Sequence, residues 1–304
     1  MTGFGQEQHW PSWPLAAIAA ATLALAAAGC RVAGPLITGN GTDGRLPAGV
    51  EPAQSVHLPR PVSQTVAPPG VPPALYPPRS FHLPDRALLT NVPRAPALAP
   101  VDPEVVRYLK PSGNYVALTF DACQTMKPAG YDRAIIRVLR ETNTPATLML
   151  SGRWMETHPG ATRDLGHDPL FELGSHSYLH PHMRGMPEAH VREELQKTQD
   201  ILFALAGKQA ALFRPPYGEY DDALVRIAAK LGMRTLMWSV VTGDPDRHTS
   251  AQSIIHTVQK ETGPGSMIIM HMNGRGWHTA EALPTIIRDL RARGYTFVKV
   301  SDAL

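Results

Sequence analysis

The sequence predicts an α/β fold: a small, incomplete (β/α) barrel of about seven βα units, preceded by a disordered Pro-rich linker. Three observations lead there. Short apolar runs alternate with amphipathic stretches after Pro111, the order expected of parallel strands joined by helices. Leu283, Ile286, Ile287 and Leu290 repeat at i, i+3, i+4, i+7, and the stripes Val191, Leu195, Leu202, Leu205 and Leu224, Ile227, Ala228, Leu231 are helical in the same way. Ahead of this pattern lies a stretch with neither period and many prolines.

Residues 1–30 read as an export signal. The run 15–28 is apolar and Ala-rich, shorter than the roughly 20 residues a spanning helix needs. It ends Ala28-Gly29-Cys30, which resembles the cleavage box of bacterial lipoproteins, whose cysteine becomes the lipidated first residue. Residues 1–14 carry no Lys or Arg, whereas export signals usually begin basic, so a plain secretory signal or an uncleaved helix stays open. Cys30 is better accounted for by lipid than by a disulfide to Cys123. Arg31, not Asp, follows it. The expectation is an exported protein, lipid-anchored in the cell envelope at the periplasmic face of an outer membrane.

Residues 31–100 form the linker. The pairs Pro68-Pro69, Pro72-Pro73 and Pro77-Pro78 remove backbone donors and favour extended chain, which suits a tether.

Residues 111–304 form the barrel domain. Buried strands are expected at 115–120, 146–150, 171–175, 211–213, 235–241, 267–270 and 296–300. In barrels of this kind functional groups gather at the C-terminal strand ends, and the unusual polar residues fall there. Asp121 closes the first strand; a carboxylate at that place is costly unless paired or functional, although a loop cap would look the same. His176 and His180 follow the third strand. Four apart on a helical turn, they would share one face and could share a metal; His182 would face elsewhere. Arg214 follows the fourth strand and could grip a carboxylate bidentately. The rigid Pro215-Pro216-Tyr217-Gly218 turn after it leaves backbone donors exposed. His271 follows four apolar residues and would emerge at the same rim as Asp121, although alone it is more often structural.

Taken in order, Thr119-Phe120-Asp121, His176-Ser177-Tyr178-Leu179-His180, Arg214-Pro215-Pro216-Tyr217 and Ile269-Met270-His271 resemble the NodB-homology polysaccharide deacetylases, carbohydrate esterase family four, and a branch of it that starts Asp-Ala-Cys. That resemblance implies roles. Asp121 would be the general base, His176 and His180 two of three ligands to a divalent metal, and Arg214 the orienter of the base. The Tyr217 N–H would hold the oxyanion, and His271 would be the general acid. Asp244, in a segment like one that carries an aspartate followed by tryptophan, would orient His271 or Arg214. Zinc suits the donor types; cobalt, nickel and manganese do too.

The chain departs from the family at two places. Ala122 stands where the family has its second aspartate, the third ligand, and Val241 and Pro245 replace an aspartate and the tryptophan. The third ligand could be Asp132, the Cys123 thiolate, Asp121 itself, or water. Asp132 is also well placed to cap the helix of Ile135, Ile136 and Leu139.

The expected function is removal of N-acetyl, or O-acetyl, groups from an envelope or extracellular polysaccharide such as peptidoglycan. The rivals are a catalytically silent glycan-binding lipoprotein of the same fold and an unrelated metal hydrolase. The expected contacts are that glycan and, through Cys30, a membrane. A net charge of +3, with Lys and Arg scattered, argues against nucleic acid.

Overall fold

A computed structural model describes residues 89–110, 113–124 and 130–304. These lie in the compact unit Pro73–Leu304. The expected signal, the Cys30 anchor and most of the linker lie outside the described residues. Among the described residues no helix is long and apolar enough to cross a membrane.

The chain runs β1 (Val105–Val106), β2 (Tyr115–Ala122), α1 (Arg133–Glu141), β3 (Ala146–Leu150), α2 (Gly152–Thr157), α3 (Pro159–His167), β4 (Phe171–Ser175), α4 (Glu188–Ala206), β5 (Leu212–Phe213), α5 (Asp222–Lys230), β6 (Arg234–Leu236), β7 (Val240–Val241), α6 (Ala251–Glu261), β8 (Met267–His271), α7 (Thr279–Ala292) and β9 (Thr296–Phe297). The sheet order is β1-β6-β5-β4-β3-β2-β8-β7, with β9 also on β2, and every strand pair is parallel. The sheet curls into a half-barrel with helices outside it, the incomplete (β/α) barrel that the alternating pattern predicts.

Strand β2 shows how the sequence positions the site. Its side chains alternate between two faces. Val116, Leu118, Phe120 and Ala122 join the large core with Ile135, Leu139 and Trp154 of the helices. Ala117 joins a second cluster with Met149, Leu212, Leu236 and Met267, which fills the interior. Thr119 and Asp121 continue that inner face upward, so the interior passes from apolar to polar along the strand. Leu118→Ala would cost about 2–5 kcal/mol, the usual loss for a fully buried leucine.

Four features differ from the sequence expectation. The strand expected over 235–241 is two short ones, β6 and β7, which lie far apart in the sheet order; the residues between them cross from one sheet edge toward the other. The last strand stops at Phe297, and a 3-10 helix, Val300–Ala303, follows. Helices α2, α3 and α6 add to those read from apolar stripes; Ser151 and Ser250 cap α2 and α6, and Pro159 opens α3. Residues before position 111 belong to the body as well. Val106 pairs with Leu236, Leu109 is buried, Ala95 N donates to Asp200 (2.9 Å) and Val101 N to the Ala229 carbonyl (3.0 Å).

Candidate active site

Asp121 is buried at the end of β2, and fully buried Arg214 reaches it from the turn after β5. Arg214 Nη1 donates to Asp121 Oδ1 at 2.5 Å, and Nη2 donates to Thr119 Oγ1 (2.9 Å) and the Met237 carbonyl (3.3 Å). The guanidinium also lies over Trp238, 5.6 Å from the ring centre. Burial by itself would raise the Asp121 carboxyl; the charges of Arg214, then His176 and His271, outweigh it and hold the group below the ordinary carboxylate value. Asp121 is thus ionised inside the fold.

His176 ends the loop side of β4. Its Nδ1 lies 2.8 Å from the Arg214 carbonyl, which can only accept, so the proton sits on Nδ1 and Nε2 carries a lone pair. Nε2 is 3.6 Å from Asp121 Oδ2. The His180 ring stands edge-on to His176 with centres 4.8 Å apart. The two come together differently from the expected helical turn. Ser177 and His180 both have φ near 60°, and His180 N donates to Ser177 Oγ (3.0 Å). Tyr178 N and Leu179 N donate to Glu194 Oε2 of α4 (2.8 and 2.9 Å). A left-handed turn clamped from outside brings the imidazoles together. Burial lowers both histidines' pKa against the pull of Asp121, His180 well below the ordinary value, so both are neutral and able to ligate.

The buried Cys123 thiol completes a group with these rings: one donor atom each from Cys123, His176 and His180 lies within 4.8 Å of the others. Burial, then the Asp121 charge, pushes the thiol up to about 12. Two neutral imidazoles and a sulfur converging in this way fit a divalent cation. Asp132, the other expected ligand, is not in this group. It caps α1, its Oδ1 accepting from Ala134 N (3.1 Å), because a carboxylate at a helix start meets unpaired N–H groups directly.

His271 closes β8 directly beside Asp121. Asp244 holds it: Oδ1 accepts from His271 Nδ1 (2.9 Å) and Oδ2 from His271 N (2.7 Å), while Thr279 Oγ1 donates to Oδ2 (2.7 Å) and Thr242 Oγ1 to Oδ1 (3.2 Å). Of the two expected partners of Asp244, His271 is the one it binds. Tyr217, in a 3-10 turn with φ 59°, is half exposed; its ring meets His180 edge-on (4.5 Å) and stacks on His182 (4.1 Å). Gly218 is required behind it, since φ is +70° and a Cβ would come within 2.6 Å of Trp238. Val241, at the replaced aspartate, is exposed at 56%.

Sequence reasoning gave no role to Thr119, Thr242, Thr279 or Glu194, and it met Asn273 only as part of the His271-Met272-Asn273 that marks the Asp-Ala-Cys branch. Only Thr119 had a usable signal, lying two residues before Asp121 and so on the same strand face.

The profile of the polysaccharide deacetylase family matches residues 109–236. A peptidoglycan-N-acetylglucosamine deacetylase of Bacillus cereus is 32% identical over 185 residues, 60% of this chain and 66% of that protein. The chain spans 53% to 66% of the length of the first curated relatives it matches. Among solved structures, a family 4 carbohydrate esterase from Streptomyces lividans in complex with acetate superposes with TM-score 0.54 and 30% identity, covering 61% of this chain and 92% of that one. A pseudoenzyme of the same family from Bacillus anthracis superposes with TM-score 0.60 and 29% identity, covering 67% and 69%.

Proposed function

We propose, from the premise that this chain belongs to the polysaccharide deacetylases of carbohydrate esterase family 4, that it is a metal-dependent hydrolase removing N-acetyl groups from an envelope or extracellular polysaccharide. The observation that carries this reading is the pairing of an ionised Asp121, locked by Arg214, with His271, locked by Asp244, beside a group of neutral metal donors. A divalent metal, zinc by preference, supplies polarisation of the acyl carbonyl and acidification of water. Asp121 takes the proton of the attacking water, and Arg214 fixes which oxygen is free to do so. His271, doubly protonated, delivers its Nε2 proton to the nitrogen as the amine departs, and Asp244 accepts from Nδ1 and fixes the orientation of the ring. The Tyr217 N–H faces the developing oxyanion.

Peptidoglycan is the first substrate to try, since that is what the Bacillus cereus relative is named for; O-acetyl esters are the second. The Ala28-Gly29-Cys30 sequence and the proline-rich stretch suggest a lipid-anchored envelope protein. Mass spectrometry of the mature N-terminus, with Cys30→Ser as control, tests that. A second reading, a silent glycan-binding protein, draws on Ala122 at the family's ligand position and on the likeness to a pseudoenzyme. Acetate release separates the two. Peptidoglycan, N-acetylglucosamine oligomers and acetylated xylan are incubated with the protein as purified, after chelation, and after zinc, cobalt, nickel or manganese is returned. Release that chelator abolishes and metal restores is expected; binding without release under every condition would establish the silent reading.

A further inference from the structure

We propose that Cys123 is the third metal ligand, moved one residue along the chain from the family's second aspartate, so that the centre is a thiolate with two imidazoles selective for zinc-like, thiophilic cations. The inference rests on the metal-dependent reading above.

The alternation of β2 explains the displacement. Ala122 belongs to the core between sheet and helices, with Leu118 and Phe120. Its methyl group packs in that layer and offers no donor atom. One residue further the chain returns to the inner side, where the Cys123 donor atom meets His176 and His180 within 4.8 Å.

The carboxylate rivals have other engagements, although Asp121 keeps Oδ2 free, 3.6 Å from His176 Nε2, for the base role. Asp121 gives Oδ1 to Arg214, and Asp132 caps α1. Cys123 is held for the task by Asn273, buried, whose Nδ2 donates to the Cys123 carbonyl (2.8 Å) and to its Sγ (3.3 Å). An N–H aimed at a sulfur both orients it and stabilises it as thiolate, as outer partners of metal ligands commonly do. On metal binding the S–H bond breaks, its electron pair becomes the metal–sulfur bond and the proton leaves to solvent. Three protein donors with a position left open is the catalytic zinc arrangement, and a thiolate disfavours magnesium and manganese.

Cobalt titration of the full metal-free chain tests this. A thiolate-to-cobalt charge-transfer band in the near ultraviolet is expected. It should persist in Cys30→Ser, which removes the chain's other cysteine. In Cys123→Ser the band should vanish, and zinc affinity, measured against a chromophoric chelator, should fall about tenfold or more. No band in Cys30→Ser overturns the proposal, whether or not cobalt binds, and so does parental zinc affinity in Cys123→Ser. The hydrolase reading fails separately: a band with no acetate release from any glycan leaves the ligand standing and removes the activity, and release without a band does the reverse.

Discussion

Asp121 and His271 are register partners on the adjacent parallel strands β2 and β8, so their side chains leave the sheet on the same face. Each is held from its far side by a buried group of opposite kind, Asp121 by Arg214 and His271 by Asp244. One carries a negative charge and the other presents Nε2, which suits neighbouring strand ends to the opposite proton-transfer roles proposed for them. His271→Ala should lower turnover of N-acetyl substrates by about 10²–10⁴-fold. Aryl acetates should lose much less, because a phenolate leaves without a proton. Equal losses on the two substrate types would remove His271 from the acid role.

Asp244 accepts from four donors, two of them on His271. Asp244→Ala would orphan them, at about 1–3 kcal/mol for each buried donor left unpaired. A clear fall in the urea midpoint is expected. Asp244→Asn keeps the volume but turns one acceptor into a donor that faces donors. There kcat should fall at least tenfold with KM little changed, since the ring is misdirected and no substrate contact is lost. Steady-state rates at saturating and limiting substrate check the split; a pure KM effect would place Asp244 in binding instead.

Much of this was legible before the structure, and the gaps have physical causes. Asp121 and His271 stand near the ends of largely apolar strands and His176 just past one, where a polar side chain stands out. The partners that hold them are another matter. Glu194 clamps the histidine turn from α4 and Asn273 reaches back to Cys123, contacts made across the fold that no local pattern records. The spacing of His176 and His180 pointed to two rings that the fold does bring together, but on another backbone, because two left-handed residues can close the same distance as a helical turn. Asp132 was ambiguous for a chemical reason: a helix cap and a metal ligand ask for the same side chain. The run 235–241 is largely apolar, and its one interior polar residue, Ser239, is a weak mark of the break between β6 and β7.

The two buried imidazoles make the metal-free protein sensitive to mild acid. Burial first, with His271 and other nearby positive charge adding to it, lowers both histidines from 6.5 against the opposing Asp121. The unfolded chain therefore binds protons near pH 6.5 that the folded chain still refuses. Stability is full above that value and is lost as pH falls from it toward the folded pKa values. In chelator, the urea midpoint should drop between about pH 7.5 and about pH 5.5. His180→Gln should flatten the slope. A slope unchanged in that variant would assign the acid sensitivity to other groups.

Glu194 offers a way to weaken the proposed metal site without touching a proposed ligand. Its Oε2 receives both Tyr178 N and Leu179 N, the peptide groups between His176 and His180. Burial raises its carboxyl, and the two N–H groups with Lys197 only partly offset this, so the residue is kept there at some cost. Glu194→Ala would free both N–H groups, costing up to about 1–3 kcal/mol each, and would let the left-handed turn relax. Zinc affinity should then fall by about 10–100-fold, the scale for lost outer partners. Glu194→Gln keeps one oxygen in place to accept and should stay near the parent. Thermal midpoints with and without zinc measure both effects, because a metal that binds only the folded chain raises the midpoint by an amount set by its affinity. Should Glu194→Ala lower the metal-free midpoint yet keep the parental zinc increment, the carboxylate braces the turn for stability alone.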